Sequence, residues 1–197
     1  MRKEIRKQEL IQTAYQLFIT KGYENTTIDE IIEKANVAKG TYYYHFENKE
    51  QILEKVVNMM IDKSIERAKE VLASNLNLEE KLISTIFNLR AMPDEKIVQD
   101  AIHAPENIIL HKKTNDRLIE KSTPIISELV REAKEIGLFN CDDNIEERVK
   151  MTLILSNEMF DHTTVTASSI TVFIDTLEKI YGAKKGTLAF IEKLIKE

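Results

Sequence analysis

Apolar residues recur at three- and four-residue steps along most of the chain. Over 2–20 they are Ile5, Leu10, Ile11, Ala14, Leu17 and Phe18, which share one helical face, and Gly22 marks the end of that helix. Thr27, with Glu30 three residues on, predicts a capping box that opens a short helix to Lys34. Only a tight turn fits between Ala35 and Ala38, and Asn36 is a residue that tolerates left-handed backbone. A further short helix is predicted over 39–46. Asn48 then caps a long one carrying Ile52, Leu53, Val56, Met60, Ser64, Ala68 and Val71. The same period predicts helices over 78–91, 105–119, 123–136, 145–161, 169–181 and 184–196. Pro93, Pro105 and Pro124 lie near expected starts, and Gly137 and Gly182 at expected ends. No stretch reads as a strand. The expected fold class is all-α, with a three-helix head over 1–50 and a helical body over 51–197 that share the long helix.

Charge adds less than its total suggests. The formal net charge is −5, but residues 1–50 hold eight basic and eight acidic side chains, so the body carries all of the excess. Placement is more telling: Arg2, Lys3, Arg6 and Lys7 cluster at the start, and Lys39 and Lys49 bracket the third predicted helix. The single cysteine, Cys141, has no second thiol for an internal disulfide or a thiolate metal site. His103, His111 and His162 lack metal-ligand spacing, so no metal and no cofactor are expected. No apolar run approaches twenty residues and the start is amphipathic, which predicts a cytoplasmic protein without a membrane partner. There is no phosphate loop, nucleophile elbow or zinc-binding helix motif. The paired acids Glu79, Glu80 and Glu146, Glu147 diverge as helix neighbours, and an enzyme is not expected.

Helix, four-residue turn and short helix is the geometry that lays a recognition helix in the major groove of double-stranded DNA. Here that helix would carry Lys39, Gly40, Thr41, Tyr42, Tyr43, Tyr44, His45 and Phe46. Three successive tyrosines cannot all face one core, because each residue turns the helix by about 100°. Gly40 leaves room for an approaching phosphate backbone, and hydroxyls and ammonium groups supply donors. The candidate DNA contacts are Thr27, Lys39, Gly40, Thr41, Tyr42, Tyr43, Tyr44, His45 and Lys49. Tyr42 and Tyr44 are the candidates for base edges and Lys49 for a phosphate; His45 is open to base, phosphate or structural roles.

The set Ala14, Leu17, Phe18, Gly22, Tyr23, Thr26, Thr27, Ile28, Ile31, Ala35, Val37, Lys39, Gly40, Thr41, Tyr43, Phe46, Lys49, Glu50 and Leu53 resembles the TetR family of bacterial regulators. Gly137, Leu138 and Phe139 followed by Asp142 and Asp143 resemble the end of that family's seventh helix. Asn36, Ala38 and Tyr42 depart from its usual Gly, Ser and Leu or Phe. The resemblance implies a homodimer built on the last two large body helices, a palindromic operator, and a small-molecule effector held among the middle helices. Effector entry would shift the long helix and release a repressor from DNA.

In the body, Met60, Phe87, Met92, His103, Ile108, Glu158, Met159 and His162 are candidates for an effector pocket, although Met at helical spacing also reads as plain core. Asn157, Glu158, Asp161 and His162 interrupt an otherwise apolar helix. Glu158 reads either as a ligand partner or as a polar edge of a dimer interface. Leu155, Met159, Ile170, Phe173 and Leu177 are the candidate dimer contacts. An activator, a regulator without an effector, and a helical protein-binding adaptor are the competing readings.

Overall fold

The computed structural model describes residues 2–90, 92–161 and 165–192, and among them there is no strand. The elements are α1 (Arg2–Lys21), α2 (Ile28–Lys34), α3 (Lys39–His45), α4 (Lys49–Leu72), α5 (Leu78–Leu89), α6 (Lys96–His103), α7 (Ile108–Glu135), α8 (Ile145–Asp161) and α9 (Ala167–Tyr181). Single 3-10 turns at Pro93–Glu95 and Pro105–Asn107 precede α6 and α7. The chain divides into two compact units, one of Met1–Lys63 with Ala91–Thr114 and one of Ser64–Arg90 with Asn115–Glu197. Both α4 and α7 contribute residues to each.

Unit 1 is built on α1 to α3. Leu10, Ala14 and Phe18 from α1, Ile31 from α2, and Ile52, Leu53 and Val56 from α4 form a core closed to solvent. The predicted capping box holds: the Glu30 N–H donates to the Thr27 hydroxyl oxygen and the Thr27 N–H to the Glu30 carboxylate. Asn36 sits at φ 50°, the left-handed turn that the short α2–α3 connection requires. α6 was not expected. Its eight residues seat Val98 and Ile102 in this core, and Glu95 beside it accepts from the Tyr15 hydroxyl at 3.2 Å and the Met92 N–H at 2.9 Å.

Unit 2 packs Leu82, Leu129, Val130, Phe139, Val149, Phe173, Leu177 and Tyr181 into a second core. One long α7 replaces the two helices expected over 105–119 and 123–136. Pro124 has no N–H to give to the carbonyl four residues back, but its ring is exposed, so the gap in the ladder lies on the solvent side. The hydroxyls of Ser122 and Thr123 meanwhile donate to the Leu118 and Ile119 carbonyls at 2.6 Å each. The helix expected over 184–196 is also corrected, since 185–190 form successive turns. Gly186 at φ +89° breaks the helical ladder, and the N–H groups of Thr187 and Ala189 bond three residues back, to Lys184 and Gly186. These turns place Leu188 in the core, where its N–H donates to the buried Glu178 carboxylate at 2.9 Å. Residues 193–196 lie outside the described residues. Gly182 ends α9 at φ +62°, and a Cβ there would stand 2.5 Å from the Asn140 carbonyl oxygen, so no other residue fits without backbone movement.

Candidate nucleic-acid interface and effector cavity

The tyrosine run sorts itself by helix angle. Tyr42 is 0% exposed, packs against Phe46 and donates its hydroxyl to the Asn48 carbonyl at 3.1 Å. It therefore cannot reach a base edge, and its expected groove contact is corrected. Burial pushes its hydroxyl, and that of Tyr23, well above the ordinary tyrosine range, so both stay neutral. Tyr43 and Tyr44 point out, at 47% and 65% exposed. The Lys3 ammonium lies 4.7 Å from the centre of the Tyr44 ring and donates to its hydroxyl at 3.2 Å, which brings one N-terminal cation to the outer face of α3.

Around those rings the surface is open. A Cβ on Gly40 would meet nothing within 4 Å, so no contact inside the chain calls for glycine there. Thr27 is exposed at the start of α2, and Thr41 and His45 are partly exposed, His45 standing edge-on to Tyr44 at 4.9 Å. Lys39 is exposed, and its hydrogen bond to Asp29, at 3.1 Å, raises its affinity for a proton. Ala38 stands at the N-cap of α3 and offers no side-chain cap. Lys49 differs from the expectation of a free phosphate ligand. Its ammonium donates to the carbonyls of Tyr23 and Thr26 at 2.9 and 3.1 Å and lies 4.2 Å from the Tyr23 ring centre, pinning the α1–α2 connection to the start of α4.

Unit 2 contains a partly open cavity of about 330 Å³. α5 contributes Leu82, Thr85, Ile86 and Leu89; α7 contributes Ser122 and Ile126 among others; α8 contributes Thr152, Leu153, Ser156 and Asn157; and α9 closes it with Phe173, Leu177 and Tyr181. Most of this wall is hydrocarbon. Two polar groups in it lack partners: the Thr85 Oγ1, on a residue that is 0% exposed, and the Asn157 Nδ2. Such a group, buried and unmatched, costs about 1–3 kcal/mol. Ser122 and Thr152, by contrast, have partners: Ser122 donates to the Leu118 carbonyl at 2.6 Å. Thr152 donates to the Arg148 carbonyl at 2.9 Å and stands 2.9 Å from the Tyr181 hydroxyl, whose donor proton it therefore receives.

None of the described residues proposed from sequence for the pocket lines this cavity. Met60, Met92, His103 and Ile108 belong to unit 1, Phe87 and Glu158 are exposed, and Met159 packs against the unit 2 core from outside. His162 lies outside the described residues. The residues that do line it were legible in part: Thr85 is a polar interruption of the apolar stripe Leu82, Ile86, Leu89, and Asn157 an interruption of α8. The dimer candidates divide likewise. Ile170, Phe173 and Leu177 face the interior of unit 2 and are corrected, while Leu155 is exposed beside Met151 and Ile154 on α8, with Val172 exposed on α9.

Residues 10–56 match the sequence model of the bacterial regulatory proteins of the tetR family. The chain is 30% identical over 128 residues to the biofilm operon icaADBC negative transcriptional regulator IcaR of Staphylococcus epidermidis, covering 64% of this chain and 68% of that protein. It is 27% identical over 136 residues to the transcriptional repressor KstR2 of Rhodococcus jostii, covering 69% of this chain and 63% of that protein. Among solved structures, RolR in complex with resorcinol superposes with a TM-score of 0.62 at 19% identity, over 93% of this chain and 90% of RolR.

Proposed function

The chain belongs to the TetR family of transcriptional regulators and is a DNA-binding regulator rather than an enzyme, and from that premise we propose that it is a homodimeric repressor released from a palindromic operator by a small-molecule effector. The observation that carries the reading is the outer face of α3, where Tyr43 and Tyr44 stand exposed beside Lys39, an open Gly40 and Lys3. Tyr43, Tyr44, Thr41 and His45 meet the groove, and Thr27, Lys39 and Lys3 meet phosphates. Tyr42 and Lys49 hold the helix in place from within. Two such faces in a dimer fit half-sites about one helical turn, roughly 34 Å, apart. As a regulator of transcription, the protein works in the cytoplasm.

The cavity in unit 2 supports the effector half of the reading. A ligand can release DNA only if it binds the DNA-incompetent arrangement more tightly than the competent one. α4 is one helix whose N-terminal part belongs to unit 1 and whose C-terminal part belongs to unit 2, which gives such a preference a covalent route to α3.

Selection from a randomised duplex library at low salt tests the DNA half. The expected product is a two-fold symmetric site, bound by wild type and bound about tenfold more weakly by Tyr44→Ala. Recovery of no common sequence by a folded protein would remove the operator-binding reading.

A further inference from the structure

The cavity in unit 2 distinguishes among effectors by its chemistry. Besides hydrocarbon, its described lining holds hydroxyls, one amide, and Arg90, an exposed residue already engaged within the chain. Tyr181 is neutral, since burial pushes its hydroxyl up to about 12. A charged ligand seated here would lose its hydration without an ionic partner.

Thr85 is the informative position. Elsewhere on these helices, Thr20, Thr114, Ser122, Thr123, Thr152, Thr171 and Thr176 donate their hydroxyls to the carbonyl four residues back. The Thr85 hydroxyl makes no such bond although it is fully buried, and it lines the cavity. Ser127 Oγ is likewise unpartnered but is not part of the lining. Asn157 reaches the same cavity from α8 with an unpartnered amide N–H group. The Asn157 Nδ2 can only donate and the Thr85 hydroxyl has a proton to give, and neither finds an acceptor among the described residues.

Resting on the effector reading above, we infer that the cavity takes an uncharged, mainly hydrocarbon molecule carrying a hydrogen-bond-accepting oxygen, held by Thr85 and Asn157. A volume of about 330 Å³ admits on the order of 10 to 15 non-hydrogen atoms at interior packing density. An alcohol, phenol or ketone fits this description; a carboxylate, an ammonium ion or a bare hydrocarbon does not.

Two matched series test it by calorimetry on the full-length protein: 1-decanol, decanoate, decylammonium and decane, and 2-naphthol, 2-naphthoate and naphthalene. The oxygen-bearing neutral member of at least one series should bind at least tenfold more tightly than its charged and hydrocarbon partners. Thr85→Val keeps the side-chain shape and removes only an unmatched hydroxyl, so it stays folded. It and Asn157→Leu should each weaken the neutral oxygen compound about fivefold or more and leave hydrocarbon binding unchanged or tighter. The inference is overturned if an ion or a hydrocarbon binds as well as the alcohol or phenol, if both variants keep wild-type preference, or if nothing in either series binds. Operator release is measured separately. Neutral binding by these rules without release would refute the effector reading alone, and release driven by an ion would refute the ligand class alone.

Discussion

Tyr42, Tyr43 and Tyr44 are adjacent and chemically identical, and only their angle on α3 separates a core residue from two exposed ones. The consequences of removing each differ accordingly. Tyr42→Phe loses the bond to the Asn48 carbonyl and should cost about 0.5–1.5 kcal/mol in urea unfolding, while the folded protein keeps its DNA affinity within about twofold. Lys49 and Lys39 form a second contrast. Lys49→Met removes a cation held by two carbonyls at 2.9 and 3.1 Å and should destabilise by about 1–3 kcal/mol without altering the salt dependence of DNA binding. Lys39→Ala should leave the melting temperature nearly unchanged and lower the slope of log affinity against log salt by about one. Equal slopes for both variants and wild type would remove Lys39 from the phosphate contacts.

Pro124 is where one element differs most from its expected form, and it makes a test. Pro124→Ala restores an N–H to the interior of α7 without disturbing a buried group. It should raise stability by roughly 1–3 kcal/mol by thermal melting; an unchanged melting temperature would mean that the gap in the ladder costs the helix nothing. Most helices were legible from spacing and caps, as the Thr27 and Glu30 pair shows for α2, because a capping box and a helical period are local properties. The faces were harder. Ile170, Phe173 and Leu177 lie on one stripe of α9 that is apolar whichever body it meets, and period alone does not distinguish a chain's own core from a second copy. α6 was missed because eight residues between two prolines give barely two turns of pattern. The cavity was hidden for a related reason: its polar groups come from α5, α7 and α8, far apart in sequence, so the position of each was readable but not their convergence.

At the scale of the molecule, the exposed Met151, Ile154 and Leu155 of α8 and Val172 of α9 are the surface proposed to meet a second copy. Ile154→Glu with Val172→Lys should yield a monomer by light scattering at micromolar concentration; an intact dimer would move the interface elsewhere. Stability at high pH follows from the buried tyrosines. The Tyr181 hydroxyl, pushed up to about 12, stays protonated in the folded chain after its unfolded counterpart has ionised near 10. The folded state then holds the proton more tightly, so its advantage is complete below about pH 10 and is lost as pH rises towards 12. Tyr181→Phe should flatten that fall, read as urea midpoints at several pH values. The same distribution of rings has an optical consequence. With six tyrosines and no tryptophan, the ultraviolet emission of this protein is tyrosine emission alone. Tyr15, Tyr23, Tyr42 and Tyr181 are enclosed, and Tyr43 and Tyr44 are the pair in contact with solvent, so a water-soluble quencher addresses the outer face of α3 selectively. A single tryptophan placed at Tyr44 would therefore be the one residue excited at wavelengths beyond the tyrosine absorption, reporting on that face without an added dye.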